Sequence, residues 1–323
     1  MKRLTVRAAG GDLALSKIIL GACNFGTWVN QETSLRLLDE YVRLGGDTID
    51  TASVYGDWDD KGTPVSEQLL GEWMQENGNR ERLTVITKGG HYRLKQPNIS
   101  RATPECVKAD IEKSLHALRT DYIDVYFLHR DNLAVPVEAF IDVLDEAVKA
   151  GKIRATGASN WTVERIRQAN EYAVRAGKTP FTVSEIQWSL AHASQVRDAV
   201  DDLHPMTEED YQRYLAMELP VLAWSSQAGG VITKILEHGT ETLKEGLKKQ
   251  YLNDTTLRSV ALVKELCVQQ GITPTQAALG YIICNRLPGA AIIGPNNLEQ
   301  LADSMKAMDL TLPPEAVEHL KWR

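Results

Sequence analysis

Asp50, Tyr55, Lys88 and His129 are residue types that bind and release protons, and each stands at or just beyond the carboxyl end of a short apolar run. The stretch "DTIDTASVYG" (47–56) carries Asp50 and Tyr55 out of such a run and into a turn. "LTVITK" (83–88) ends in Lys88, and "DVYFLH" (124–129) ends in His129. Taken singly they have ordinary structural readings: an aspartate caps a turn, a tyrosine lines a wall, a histidine makes a hydrogen bond. Together they suit acid catalysis. A phenol in water loses its proton near pH ~10. A nearby ammonium favours the phenolate and lowers that value, and a buried aspartate keeps the lysine charged and oriented. His129 then holds a substrate carbonyl or shares the proton with Tyr55, so the expected chemistry is proton donation to a carbonyl oxygen.

Such a set needs elements that bring these positions to one edge. "LTVRAAGGDLALSK" holds two alternating runs around Gly10-Gly11, a hairpin pattern. Beyond it, short apolar runs recur at 18–23, 47–50, 83–88, 124–129, 153–159, 181–186, 219–224 and 290–294, eight in all. Between them lie stretches with apolar residues at three- and four-residue spacing, and Thr103-Pro104 and Thr162 mark helix starts. Continuous apolar strands alternating with helices predict an α/β fold with a parallel sheet covered by helices. Eight units predict a closed (β/α)8 barrel, a TIM barrel, with the hairpin capping its bottom; a doubly wound open sheet is the competing arrangement. No linker divides residues 1–323, which read as one domain. The irregular segment 189–207 is expected to overhang the site, and 226–253 reads as mixed, with Gly229-Gly230 and a lysine-rich helix.

A net charge of −7 disfavours nucleic acid as a partner, because phosphate binding needs a basic surface. Cys23, Cys106, Cys267 and Cys284 are far apart and form no CxxC pair, so they read as reduced thiols, with neither a disulfide framework nor a metal site. The amino terminus lacks the apolar stretch of a signal peptide, and no run approaches the roughly 18 apolar residues of a membrane span. The expected location is cytoplasmic, with a small-molecule partner, no membrane contact and no assigned oligomeric state.

The sequence resembles the aldo-keto reductase superfamily over nearly its whole length. The motifs that carry the resemblance are "GACNFGTW" (21–28), "DTIDTASVYG" (47–56), "SEQLLGEW" (66–73), "VITKGG" (85–90), "YIDVYFLHR" (122–130) and "IRATGASNW" (153–161). "EIQWSL" (185–190), "PVLAWSS" (220–226), "ITPTQAAL" (272–279) and "IIGPNNLEQL" (292–301) follow in family order. The resemblance implies that Asp50, Tyr55, Lys88 and His129 form a catalytic tetrad reducing aldehydes and ketones with NADPH or NADH. It implies that Ser159 and Asn160 bind the nicotinamide carboxamide, that Trp224 stacks on the ring, and that "SSQAGG" (225–230), with Ser225, Ser226 and Gln227, meets the pyrophosphate. Thr27, Trp28 and Asp50 join the cofactor set, as do Gly294, Asn296, Gln300 and Asp303 near the adenosine. No GxGxxG is present, so a Rossmann-type site is not expected.

Two departures from the family pattern stand out. The usual carboxamide-binding glutamine falls on Glu185, with Gln187 two residues on and facing the same way along a strand, and either can contact the ring. The segment that grips a 2′-phosphate offers Asn296, Asn297 and Gln300 where lysine or arginine is common, which weakens NADPH selectivity. Trp28, Tyr55, His91, His129 and Trp161, with Trp188 as a further neighbour, are the expected substrate wall. Indoles beside His91, Asp57 and Asp59 would suit a polyhydroxylated carbonyl. Two rival functions share these residues: a lyase with Lys88 as Schiff-base nucleophile, which a nearby Asp50 opposes, and a cofactor-binding redox-sensor subunit of the same superfamily.

Overall fold

Gly10 and Gly11 take φ of 82° and 126°, values at which a side chain is strained, and the chain reverses there. Arg3–Val6 and Leu13–Ser16 pair antiparallel, Arg3 opposite Ser16 and Val6 opposite Leu13. Their alternate residues Leu4, Val6, Leu13 and Leu15 are buried with Ile19, Ile86, Val125 and Leu222 in one cluster. The hairpin thus closes one end of a barrel, as its pattern predicts. The computed structural model describes residues 2–58, 64–194, 196–197, 202–203 and 205–321.

The barrel strands are β1 (Ile18–Gly21), β2 (Thr48–Asp50), β3 (Thr84–Gly89), β4 (Ile123–Leu128), β5 (Ile153–Ser159), β6 (Val183–Gln187), β7 (Val221–Trp224) and β8 (Gly289–Ile293). They pair in sequence order, all parallel, and β8 pairs β1 to close the ring. A closed ring has no sheet edge, which excludes the open doubly wound alternative. Helices follow the strands from Gln31–Arg43 to Leu298–Met305. Thr103 and Thr162 cap Pro104–Ala117 and Val163–Ala176 by accepting from the backbone N–H groups of Cys106 and Arg165, as expected of threonine before a helix.

Alternation along each strand builds two cores. Ile18, Leu20 and Ile49 face outward to the helices, while Ile19, Ile86, Val125, Phe127 and Val183 fill the interior. A Cβ on Gly157 would lie 2.4 Å from the Phe127 ring, so only glycine leaves space for that ring. Two residues further along the strands the inward positions become Asp50, Lys88 and Glu185, all buried. A barrel built for packing alone would carry branched aliphatics there.

After β6 the antiparallel pair Val196–Arg197 and Asp202–Leu203 lies in the segment expected to overhang the site, and Leu203 reaches the cavity described below. The mixed stretch after β7 resolves into a 3-10 turn (Ala228–Gly230) and the helices Val231–His238 and Glu245–Tyr251. Among the described residues no helix is long and apolar enough to cross a membrane.

Because Leu15 is fully buried where hairpin meets barrel, Leu15→Ala should cost about 2–4 kcal/mol with an unchanged far-ultraviolet circular dichroism spectrum. An unshifted urea midpoint would mean that the hairpin contributes nothing to the core.

Candidate active site at the barrel mouth

Lys88 has no exposed surface, so every proton of its ammonium needs an oxygen within the protein. Its Nζ donates to Asp50 Oδ2 at 2.5 Å, to the Thr51 carbonyl at 3.1 Å and to Tyr55 Oη at 3.5 Å, and it stands 3.4 Å from Glu185 Oε1. β2, β3 and β6, with the loop after β2, supply these groups. Burial lowers the lysine's affinity for its proton, but Asp50, Glu185 and Tyr55 outweigh it and hold the ammonium above its ordinary value. Burial pushes the Asp50 carboxyl up while Lys88 pulls it back. Glu185 is pushed up to about 8 by burial and then by Asp50, with Lys88 opposing.

Tyr55 corrects an expectation. Burial drives its phenol well above the ordinary value; Lys88 lowers it, but Cys23, Asp50 and Glu185 add to the rise. The lysine stands where a tuning cation should, yet burial outweighs its pull, and the phenol keeps its proton. Burial also pushes the Cys23 thiol up to about 12, which leaves it un-ionised.

His129 lies edge-on to Tyr55, ring centroids 5.9 Å apart. Its pKa is lowered well below the ordinary value by burial and then by His91, Arg130 and Lys88, so the ring is neutral. Its Nδ1 is buried with no hydrogen-bond partner among the described residues. His91, expected on the rim, is buried behind His129 at 4.6 Å, with Nδ1 2.7 Å from the Tyr92 carbonyl. It packs against the histidine and is not part of the cavity wall.

Asp50, Tyr55 and His129 open onto a cavity of about 1220 Å³, also lined by Ser159, Asn160, Glu185, Trp224 and Ser225. Asn160 ties one wall together: its Nδ2 donates to Ser159 Oγ at 2.9 Å, and its Oδ1 accepts from Trp224 Nε1 at 3.1 Å. Asn160 and Ser225 hold φ of 61° and 49°, left-handed values that cost a side-chain-bearing residue energy and concentrate at functional sites. Ser226 donates to the Ile292 carbonyl and Gln227 to Ser304, tying the loop after β7 to β8 and its helix. Gly229 and Gly230 have φ of 63° and 76°, and the helix that follows Gly230 has no side-chain cap. The Val231 N–H is spent on the Ala228 carbonyl, so an anion at this end would meet the N–H groups that follow it.

At the far end, Gly294, Asn296, Gln300 and Asp303 line the cavity. Gln300 Oε1 accepts from the Asn296 backbone, and Asp303 accepts from Thr273 and Gln276. Glu185 lines the cavity, whereas the Gln187 amide turns to Ser189 Oγ at 3.1 Å.

Several expected wall residues are placed elsewhere. Trp161 is wedged between Phe140 and Phe181, and Trp188 is fully buried against Tyr211 and Tyr281; both belong to the strand–helix core. Thr27 turns back onto the Asn24 carbonyl. Trp28 is 76% exposed and stacks on Trp58 at 5.3 Å, which leads to Tyr55 at 6.4 Å. Asp57 accepts from the Leu94 backbone, and Asp59 lies outside the described residues. The sequence reading missed Asn24, Arg130, Thr273 and Lys306 on the cavity wall, and Trp58. Lys306 carried the one available signal, a cation beside the adenosine segment.

A family model described as Aldo/keto reductase family matches residues 17–321. An aryl-alcohol dehydrogenase [NADP(+)] of Phanerodontia chrysosporium is 28% identical across 97% of this chain and 83% of its own length. An uncharacterized oxidoreductase of Bacillus subtilis, YrpG, is 27% identical across 95% and 92%. A norsolorinic acid reductase of Emericella nidulans is 28% identical across 96% and 78%.

The ammonium is what makes two buried carboxyl groups tolerable. Lys88→Met should cost about 3–5 kcal/mol at pH 8, read by urea unfolding. Both carboxyls have folded-state values above their unfolded ones, so their contribution is greatest at low pH and is lost as pH rises through the folded values. The variant should therefore recover stability between pH 8 and pH 6; an equal loss at both would contradict the assignment.

Proposed function

This chain belongs to the aldo/keto reductase family, and from that footing we propose that it is an NAD(P)-dependent oxidoreductase interconverting a carbonyl compound and its alcohol, with Tyr55 handling the proton. The observation that carries the reading is the buried Lys88 Nζ, 2.5 Å from Asp50 and 3.5 Å from Tyr55, beside a cavity larger than most small-molecule pockets. An extended dinucleotide fits the residues present. Ser159, Asn160 and Glu185 meet a carboxamide, Trp224 covers a ring face, the turn at Gly229-Gly230 meets a diphosphate, and Asn296 and Gln300 lie toward an adenosine. The buried Oε2 of Glu185, without a partner among the described residues, supports a polar ligand group at that point, because an acceptor left without a donor is costly.

When bound, the cofactor supplies the hydride donor or acceptor. The side chains do the rest. A neutral His129 orients the carbonyl by a ring hydrogen bond, and Tyr55 donates as that oxygen becomes an alkoxide. An alkoxide is a far stronger base than a phenolate, so a phenol with a raised pKa still transfers its proton downhill. Lys88 then faces the phenolate. A Schiff-base role for Lys88 is disfavoured, since a lysine held protonated has no lone pair to offer a carbonyl.

For the substrate we infer a flat aryl carbonyl or alcohol. Of the polar groups that favoured a sugar, His91 and Asp57 are engaged within the protein and Asp59 lies outside the described residues, while the Trp28–Trp58 stack lies beside Tyr55. One compared relative is named an aryl-alcohol dehydrogenase, in line with an aromatic substrate. Asn297 and Gln300 use their amide oxygens on their own helix and loop and offer a 2′-phosphate only neutral donors, with Lys306 as a nearby cation, which favours acceptance of both NADH and NADPH.

Tyr55→Phe should lower kcat by at least about a hundredfold with cofactor affinity nearly intact; retained turnover would refute the proton role. Aryl aldehydes should exceed aldoses by about tenfold or more in kcat/KM, and fluorescence titration should separate NADPH from NADH by less than about a hundredfold. The reverse substrate order, or a larger cofactor ratio, would overturn the corresponding inference.

A further inference from the structure

Glu185 puts a second carboxylate where the lysine needs only one. With Asp50 and Glu185 ionised and Lys88 protonated, the buried cluster carries one surplus negative charge. Its surroundings do little to dissipate it. Lys88 of β3 and Asp50 of β2 are adjacent, Tyr55 and Cys23 keep their protons, and His129 after β4 is neutral. Arg130, also after β4, pulls Glu185 down least among the influences on it. Glu185 Oε1 faces Lys88 at 3.4 Å, while Oε2 is buried with no partner among the described residues, on the cavity wall beside Ser159. A second charge partner or a proton is therefore missing at Oε2.

Resting on the reading that a nicotinamide ring lies at this end of the barrel, we propose that Glu185 makes the site discriminate the redox state of the dinucleotide. Its carboxylate pairs with the positively charged oxidised ring, and it takes up a proton when the ring is neutral. An amide at this position would bond a carboxamide equally in both states, because it carries no charge. A carboxylate distinguishes them by Coulomb attraction in a site that excludes water. The protein is thereby biased toward holding the oxidised cofactor. The balance closes without another reagent. The alcohol C–H leaves with its electron pair to the cofactor, and the hydroxyl proton leaves separately. Lys88 stays an ammonium and cannot relay that proton; the proton is taken up at Glu185 Oε2, on the wall of the cavity that Tyr55 also lines. The products are a carbonyl, the reduced cofactor and a protonated Glu185.

The sign of the pH dependence follows. Glu185 rests at about 8; a positive ring lowers that value and a neutral, water-excluding ring raises it. Near pH 8, binding the oxidised form should release protons, and binding the reduced form should take them up. The affinity ratio of oxidised to reduced cofactor should climb by up to about tenfold per pH unit within that window.

The experiment is to measure both affinities on the full chain from pH 6.5 to 9. Calorimetry in two buffers of different ionisation enthalpy counts the protons. Glu185→Gln should weaken the oxidised form by about tenfold or more, leave the reduced form within about threefold, and abolish the proton exchange. A ratio independent of pH with no difference in proton count in the unaltered protein overturns the proposal, and that result stands even if the variant does not fold. A variant that weakens both forms equally also overturns it. If neither form binds, the site assignment itself fails and takes this inference with it; if both bind without discrimination, only this inference fails.

Discussion

An ammonium with no contact with water is tolerable only when oxygens surround it, and this barrel is arranged to supply them. Lys88 meets two carboxyl groups, a carbonyl and a phenol, none farther than 3.5 Å. β2 and the loop after it supply three of those partners and β6 the fourth, so a shift of either segment leaves a buried charge less well compensated. The proton-handling roles argued for Tyr55, His129 and Glu185 all depend on that cation staying in place.

The barrel makes the arrangement possible through the two-residue period of its strands. Inward positions near the hairpin are aliphatic and aromatic, giving a dry floor. Further along each strand the same inward column presents Asp50, Lys88 and Glu185. The floor is also what raises the carboxyl and phenol values, because burial is the first cause of each. Apolar packing and acid–base behaviour are therefore one design: a wetter floor would return these groups toward their solution values.

Charged residues at strand ends were legible in the sequence. Apolar runs locate the strands, their count suggests a closed ring, and Asp50, Lys88 and His129 stand out because a buried apolar run seldom ends in such a group without purpose. The tryptophans were not legible. Trp161 and Trp188 pack in the outer core, Trp224 lines the cavity and Trp28 lies in the open, although all four stand at or beyond the end of a strand. An indole suits core, wall or surface equally well, and the turn of the backbone after the strand chooses among them. His91 was misplaced for a similar reason: three residues beyond Lys88 the loop folds back, and its ring is buried behind His129.

The linear order of residues was enough to specify eight strand–helix units, a capping hairpin, and which side chains lie at the strand ends, since periodicity and helix-start residues are local properties. It did not specify the distances. Whether Glu185 or Gln187 faces the cavity, and whether Lys88 succeeds in acidifying Tyr55, depended on how strands far apart in sequence align around the ring. That alignment set a second carboxylate 3.4 Å from the lysine, and electrostatic balance in a buried cluster is a property of separation and solvent exclusion, both of which arise only when the ring closes.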